Sequence, residues 1–256
     1  MSFQLEMDHS AKKTGSNIVL ALDFPADQPN RLLSKSIETL EIVHTYLCAV
    51  KLNRQLVLPL GLYDGVQQIV KWTHNQGLPI IMDCKINDIG YTNRAIAEHY
   101  YKAGFDAVTA NPFVGWDGGL QPVFETAKQM HRGVILLVYM SHKGAEEGYG
   151  QTVQEPKTER RIHQYVVFAQ KALSWNADGA VVGATYPEKI REIHAILKNR
   201  VPIYSPGVGA QGGSIEAAIT AGSRYLIVGR SITFAENPVE AAKLIRDTAN
   251  QFLKEQ

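Results

Sequence analysis

Asp83, Lys85 and Asp88 fall within one six-residue stretch, Asp83-Cys84-Lys85-Ile86-Asn87-Asp88, directly after the apolar run Leu78-Pro79-Ile80-Ile81-Met82. On a β-strand, residues i and i+2 share a face, so Asp83 and Lys85 point one way and Cys84 the other. A carboxylate beside an ammonium can hold charge in a desolvated place, steer a substrate or move a proton. Taken alone, such a D-x-K-x-x-D run arises by chance in about one chain in twenty of this length. Asp88 by itself reads as an N-cap for the following helix. Corroboration has to come from elsewhere in the chain.

Two further charges stand at the ends of apolar runs, Asp23 after Leu20-Ala21-Leu22 and Lys51 after Ala49-Val50. Alternating Asp and Lys side chains gathered in one mouth are unfavourable unless they pair. A second signal is Gly207-Val208-Gly209-Ala210-Gln211-Gly212-Gly213, a formal G-x-G-x-x-G. A dinucleotide fingerprint would come early and be followed about twenty residues on by an acid. Here it comes late, and the next apolar run ends in Gly229-Arg230. Backbone N–H groups from such loops, with a guanidinium beside them, suit a phosphate.

The elements that must position these residues recur along the whole chain. Short β-branched runs lie at 17–23, 49–52, 80–83, 107–110, 133–138, 179–182, 202–205 and 225–228, each followed by a stretch of helical spacing. Examples are 91–103, with Ile96, Ala97 and Tyr100 on one face, and 237–252, with Val239, Ala242, Leu244 and Ile245. Asn237-Pro238 is a helix start signal. Continuous apolar strands alternating with helices predict a parallel sheet covered on its outer side. Eight such units predict a (β/α)8 TIM barrel in a single domain over 17–256, with 1–16 as an N-terminal extension; a doubly wound open sheet is the competitor. In such a barrel the active site lies at the C-terminal ends of the strands, where Asp23, Lys51, Asp83 and Lys85 all fall. The turn-rich segment 141–157 after the fifth strand is long enough to act as a mobile loop over that mouth.

Bulk properties narrow the function. The chain has 256 residues, 20% charged, with a net charge of +1. That balance gives no electrostatic ground for nucleic acid or an anionic membrane as partner. Cys48 and Cys84, both in apolar runs, read as reduced core thiols. No apolar run approaches the ~20 residues of a membrane span, and 1–16 lacks a signal-peptide core. A cytoplasmic location is the expectation. The histidines are scattered, with no H-x-H or H-E-x-x-H, so neither metal nor cofactor is expected. His142 reads as a loop residue, and Trp116 and Tyr149 as packing.

Together these residues resemble the orotidine 5′-phosphate decarboxylase family over 17–232. Leu20-Ala21-Leu22-Asp23 and Val50-Lys51 are similar to its first two strands. Asp83-x-Lys85-x-x-Asp88-Ile89 with Thr92 is similar to its catalytic signature, and Met140-Ser141-His142-x-Gly144-Ala145 to its pyrimidine-reading loop. Segments 205–213 and 228–232 resemble its phosphate grip. The resemblance implies decarboxylation of orotidine 5′-monophosphate to UMP, the last step of pyrimidine nucleotide synthesis, without a cofactor or metal. Lys51, Asp83, Lys85 and Asp88 would be catalytic. Asp23 would contact the ribose and Ser141 the pyrimidine, and Pro206, Val208, Gln211, Gly229 and Arg230 would hold the phosphate. It further implies a homodimer with shared active sites, Asp88 and Thr92 completing the neighbour's site. Asn53, where many members have Gly, is a departure. The nearest rivals, barrel decarboxylases and aldolases of sugar phosphates, share the Asp-x-Lys-x-x-Asp run. They use Mg²⁺ and carry an acid where this chain has Lys51, and a cation there opposes metal binding. A non-catalytic phosphate-binding barrel has no need of the charged mouth.

Overall fold

The computed structural model describes residues 2–155 and 158–253; the expected loop 141–157 therefore extends partly outside the described residues. Its strands, in chain order, are β1 (Ile18–Ala21), β2 (Ala49–Asn53), β3 (Ile80–Ile86), β4 (Ala107–Ala110), β5 (Gly133–Tyr139), β6 (Thr152–Gln154), β7 (Arg161–His163), β8 (Gly179–Val182), β9 (Ile203–Pro206) and β10 (Tyr225–Val228). All except β6 and β7 join in one closed barrel of order β1-β2-β3-β4-β5-β8-β9-β10. Neighbours in it are parallel, and helices make the crossovers. The expected (β/α)8 architecture is the observed one. The added β6–β7 ribbon is antiparallel and lies within the long connection after β5.

Burial on both faces explains the continuous apolar strands: every residue of β1, β4, β5, β8 and β10 is buried. The helices bury one stripe each. In Pro238–Leu253 that stripe is Ala242, Ile245 and Ala249, with the Asn237 side chain accepting from the Glu240 N–H at 3.2 Å as its cap. Leu244, expected on that face, is exposed. Two residues from Ala242 is about 200° around a helix, which carries it to the opposite side.

Residues 1–16, read as an extension, contain the helix Phe3–Thr14. Phe3, Met7 and Ala11 pack from below into the barrel interior against Val19, Ala49, Ile135 and Tyr204. A Cβ on Gly133 would stand 2.6 Å from the Phe3 ring, so only glycine lets the helix sit this close. Cys48 and Cys84 are buried free thiols. Burial pushes both up, Cys84 to about 12, which leaves them protonated and unreactive.

Candidate active site

Parallel register sets the first part of the site. Ala21 pairs with Lys51 across β1–β2, and Asn53 with Asp83 across β2–β3. Side chains on one face therefore emerge side by side at the C-terminal end of the barrel. Lys51 Nζ lies 2.8 Å from Asp83 Oδ2, and Lys85 Nζ lies 2.7 Å from Asp83 Oδ1. Asn53 Nδ2 donates to Asp23 Oδ1 at 2.7 Å.

These charges decide one another. Burial alone would raise the Asp83 carboxyl, but the Lys51 and Lys85 ammoniums outweigh it and hold the group well below the usual carboxylate range. Burial alone would lower Lys51, and Asp83 with Asp23 reverses that. The array is thus an anion between two cations. Only 7% of the Lys51 side chain is exposed, against 30% for Lys85, so Lys85 is the ammonium that meets the open cavity.

A pH dependence follows from the lowered group. Stability contributed by Asp83 is complete above its unfolded value near ~4 and is lost as pH falls toward the depressed native value. Denaturant titrations should show a stability gap between wild type and Asp83→Asn that is constant above about pH 5 and narrows below about pH 4. A gap that stays flat down to pH 3 would remove the ion pairing from the account.

The backbone under the array departs from simple alternation. Met82 pairs with Val108 and Ile86 with Ala110, so β3 carries extra residues against β4. The irregularity places Lys85 at φ +51°, a left-handed conformation uncommon outside glycine. Asp83 and Lys85 still face the cavity while Cys84 packs outward into the main core, as expected.

The opposite wall is built by β9, β10 and their loops. Pro206, Gly207, Val208, Ala210, Gln211, Gly229 and Arg230 line the same pocket as Asp23, Lys51, Asp83 and Lys85. Gly207 has φ +96°, and a Cβ there would meet Ser141 Cβ and Gln211 Oε1, each at 3.1 Å. Glycine is needed on both counts. The Ser231 hydroxyl accepts from the Ala210 N–H at 3.0 Å and donates to Val208 O at 3.3 Å, tying the two loops together. Arg230 has no carboxylate partner among the described residues, and neither the Gln211 nor the Arg230 N–H has an acceptor there. A free guanidinium beside unsatisfied N–H groups is an anion site.

Between the two walls the lining is mostly apolar, Leu137, Met140, Val181 and Ile227, with Thr109 beside Asp83. Ser141 enters here from the end of β5, and its hydroxyl has no partner among the described residues. Its loop is held from outside, with Thr185 Oγ1 donating to Ser141 O and the Tyr186 hydroxyl to His142 O, both at 3.1 Å. Trp116 and Tyr149 are packing residues, against Trp175 and Phe168 respectively.

Asp88 and Thr92 stand apart from the pocket. Asp88 is exposed, and it does not cap the helix Gly90–Lys102, whose N-cap is Ile89. Its turn is pinned instead by the buried Asn93. That amide accepts from the Asp88 N–H at 2.9 Å, donates to Asp88 O, and donates to Gly119 O at 3.0 Å. Large apolar side chains are exposed on the same helix start and on the loop after β4: Ile89 (68%), Tyr91 (86%) and Phe113 (71%).

Sequence reasoning passed over Asn93 and Thr109. A lone hydroxyl in Ala107-Val108-Thr109-Ala110, inside a doubly buried strand, was the available signal for Thr109. Asn93 carries no comparable mark, since an amide in a helix is ordinarily exposed. Among the described residues no three His, Cys, Asp or Glu side chains form a metal-ligand group, and no helix is long and apolar enough to cross a membrane.

The family model described as orotidine 5′-phosphate decarboxylase / HUMPS matches residues 16–245. The orotidine 5′-phosphate decarboxylase of Methanosarcina mazei is 36% identical over 225 residues, 88% of this chain and 91% of its own length. Among solved structures, the orotidine 5′-phosphate decarboxylase of Pyrococcus horikoshii superposes with a TM-score of 0.71 at 34% identity, covering 91% of this chain and 98% of that one. The orotidylate decarboxylase of Leishmania donovani superposes with a TM-score of 0.84 at 26% identity, covering 99% of this chain and 100% of its own. That coverage leaves no room for the 12-residue helix Phe3–Thr14 to lie outside the match.

Proposed function

The chain belongs to the orotidine 5′-phosphate decarboxylase / HUMPS family, and we propose that its Asp83–Lys85 array carries out the decarboxylation of orotidine 5′-monophosphate to UMP. It is an enzyme of the carboxy-lyase class. The observation that carries the mechanism is a carboxylate held ionised between two ammoniums, one of them opening into an apolar-walled pocket.

Losing CO₂ from C6 of the pyrimidine leaves an electron pair on carbon with no adjacent sink. Decarboxylases commonly recruit a cofactor for that task. Here Lys85 stands as a fixed cation at the place where the carbanion forms, and then protonates C6. Asp83 and Lys51 keep that ammonium charged and aimed. A cation at about 3 Å supplies roughly 5 kcal/mol at an effective dielectric near 20, or about four decades of rate. The rest comes from binding away from C6, which drives the reacting end into the charged floor. Arg230, Gln211 and the 207–213 loop are the phosphate grip, Asp23 with Asn53 the ribose contact, and Ser141 the pyrimidine contact.

The single-chain pocket lacks Asp88 and Thr92. A second copy docked over Ile89, Tyr91 and Phe113 would cover exposed apolar surface and bring that rim to the partner's site. A homodimer with shared active sites is the assembly this supports.

The purified protein should convert orotidylate to UMP at an undiminished rate in EDTA. Turnover only with added Mg²⁺, or only on pentulose or hexulose phosphates, would sink the assignment in favour of the sugar-phosphate branch.

A further inference from the structure

Resting on the reading that Lys85 is the cation at the reacting carbon, we propose that Thr109 is its positioning residue. One hydroxyl ties the bulged backbone beneath Lys85 to the carboxylate that holds the Lys85 ammonium.

Thr109 is 2% exposed on β4. Its Oγ1 accepts from the Lys85 backbone N–H at 2.9 Å and lies 2.9 Å from Asp83 Oδ1. The direction of the second bond is forced. An ionised carboxylate only accepts, so the hydroxyl proton goes to Asp83 and a lone pair is left for the Lys85 N–H. Both bonds act on the same lysine, one at its main chain and one through its ion pair.

The main-chain bond answers a specific need. The bulge between Met82 and Ile86 removes Lys85 from the β3–β4 ladder, and its φ of +51° is a conformation that must be held by its surroundings. A buried N–H without an acceptor is costly, and the Thr109 hydroxyl replaces the missing carbonyl. The side-chain bond completes the carboxylate. Asp83 Oδ2 takes Lys51, while Oδ1 takes Lys85 and Thr109. Donors from β2, β3 and β4 therefore fix its rotation. Removing the hydroxyl frees both the plane of Asp83 and the twist that aims Lys85. The anion-binding wall stands on β9 and β10 and is untouched.

The test compares Thr109→Val, which keeps the branched shape, with Thr109→Ser, which keeps the hydroxyl. In Val, kcat should fall about 10- to 100-fold, the effect of a lost hydrogen bond to a charged group. KM and UMP affinity should stay within about threefold. Ser should recover kcat to within about fivefold of wild type. Hydrogen exchange at the Lys85 amide should be slow in wild type and Ser and fast in Val, a readout independent of the reaction. If Val does not accumulate as a UMP-binding protein, Thr109→Ala replaces it with the same expectations. Unchanged kcat in Val, a loss confined to KM, a Ser variant as poor as Val, or unaltered exchange at Lys85 would each overturn the proposal. Failure of the wild type to turn over orotidylate would instead count against the functional reading, and the exchange comparison would still decide the role of Thr109.

Discussion

Replacing Lys85 with alanine should lower kcat for orotidine 5′-monophosphate by at least about four decades while UMP affinity stays within about tenfold. The two effects separate because the proposed phosphate grip lies across the pocket, on the loops after β9 and β10. In the proposed mechanism Lys85 acts on charge that exists only as CO₂ leaves, so its loss falls on kcat and spares ground-state binding. Unfolding would not account for the result. Alanine at φ +51° bears the same left-handed strain that lysine already bears, and Asp83 keeps Lys51 at 2.8 Å and so remains ionised. Glycine at the same position, free of that strain, should be more stable than alanine by about 1 kcal/mol and equally inactive. Spectrophotometric turnover and calorimetric titration with UMP measure both quantities. Residual kcat within a hundredfold of wild type would take the proton-donor role away from Lys85.

What could be read in the sequence was whatever depends on local pattern. Continuous β-branched runs alternating with helical spacing gave the barrel, because a strand buried on both faces has few other compositions open to it. The i, i+2 relation gave a shared face for Asp83 and Lys85. The position of the glycine loop late in the chain set it apart from a dinucleotide fingerprint and at the barrel mouth, where it lines the pocket. What could not be read depends on register between strands. The bulge in β3 is a mismatch with β4, and nothing in either run signals it alone. Thr109 acquires meaning only when the bulge leaves the Lys85 N–H without a ladder partner. The helix Phe3–Thr14 escaped for a related reason. Its apolar residues are few and its surroundings polar, yet Phe3, Met7 and Ala11 recur at a spacing of four and fit the open floor of the barrel. Asp88 was misleading when read locally, since the turn is held by Asn93 and leaves the carboxylate outside its own pocket.

That placement of Asp88 makes the second large effect a matter of which chain feels its loss. Asp88→Ala should reduce turnover at least about a hundredfold, because Lys85 would then be flanked by one carboxylate where the proposed shared site has two. Asp88→Ala and Lys85→Ala should each be nearly inactive as pure proteins. Refolded together in equal amounts, they should regain about one quarter of wild-type activity, given a two-fold dimer that exchanges subunits at random. Half the dimers are then mixed, and in each of those one site receives both lesions while the other receives neither. If Asp88 served its own chain, every site in a mixed dimer would carry one lesion and no activity would return. Sedimentation of the wild type supplies the matching physical measurement. The exposed Ile89 and Tyr91 side chains adjoin Asp88 and Thr92 along the chain, so a partner that covered them would also receive the Asp88 carboxylate. A protein that sediments as a monomer at assay concentration while fully active would defeat the shared site, as would a mixture that stays inactive.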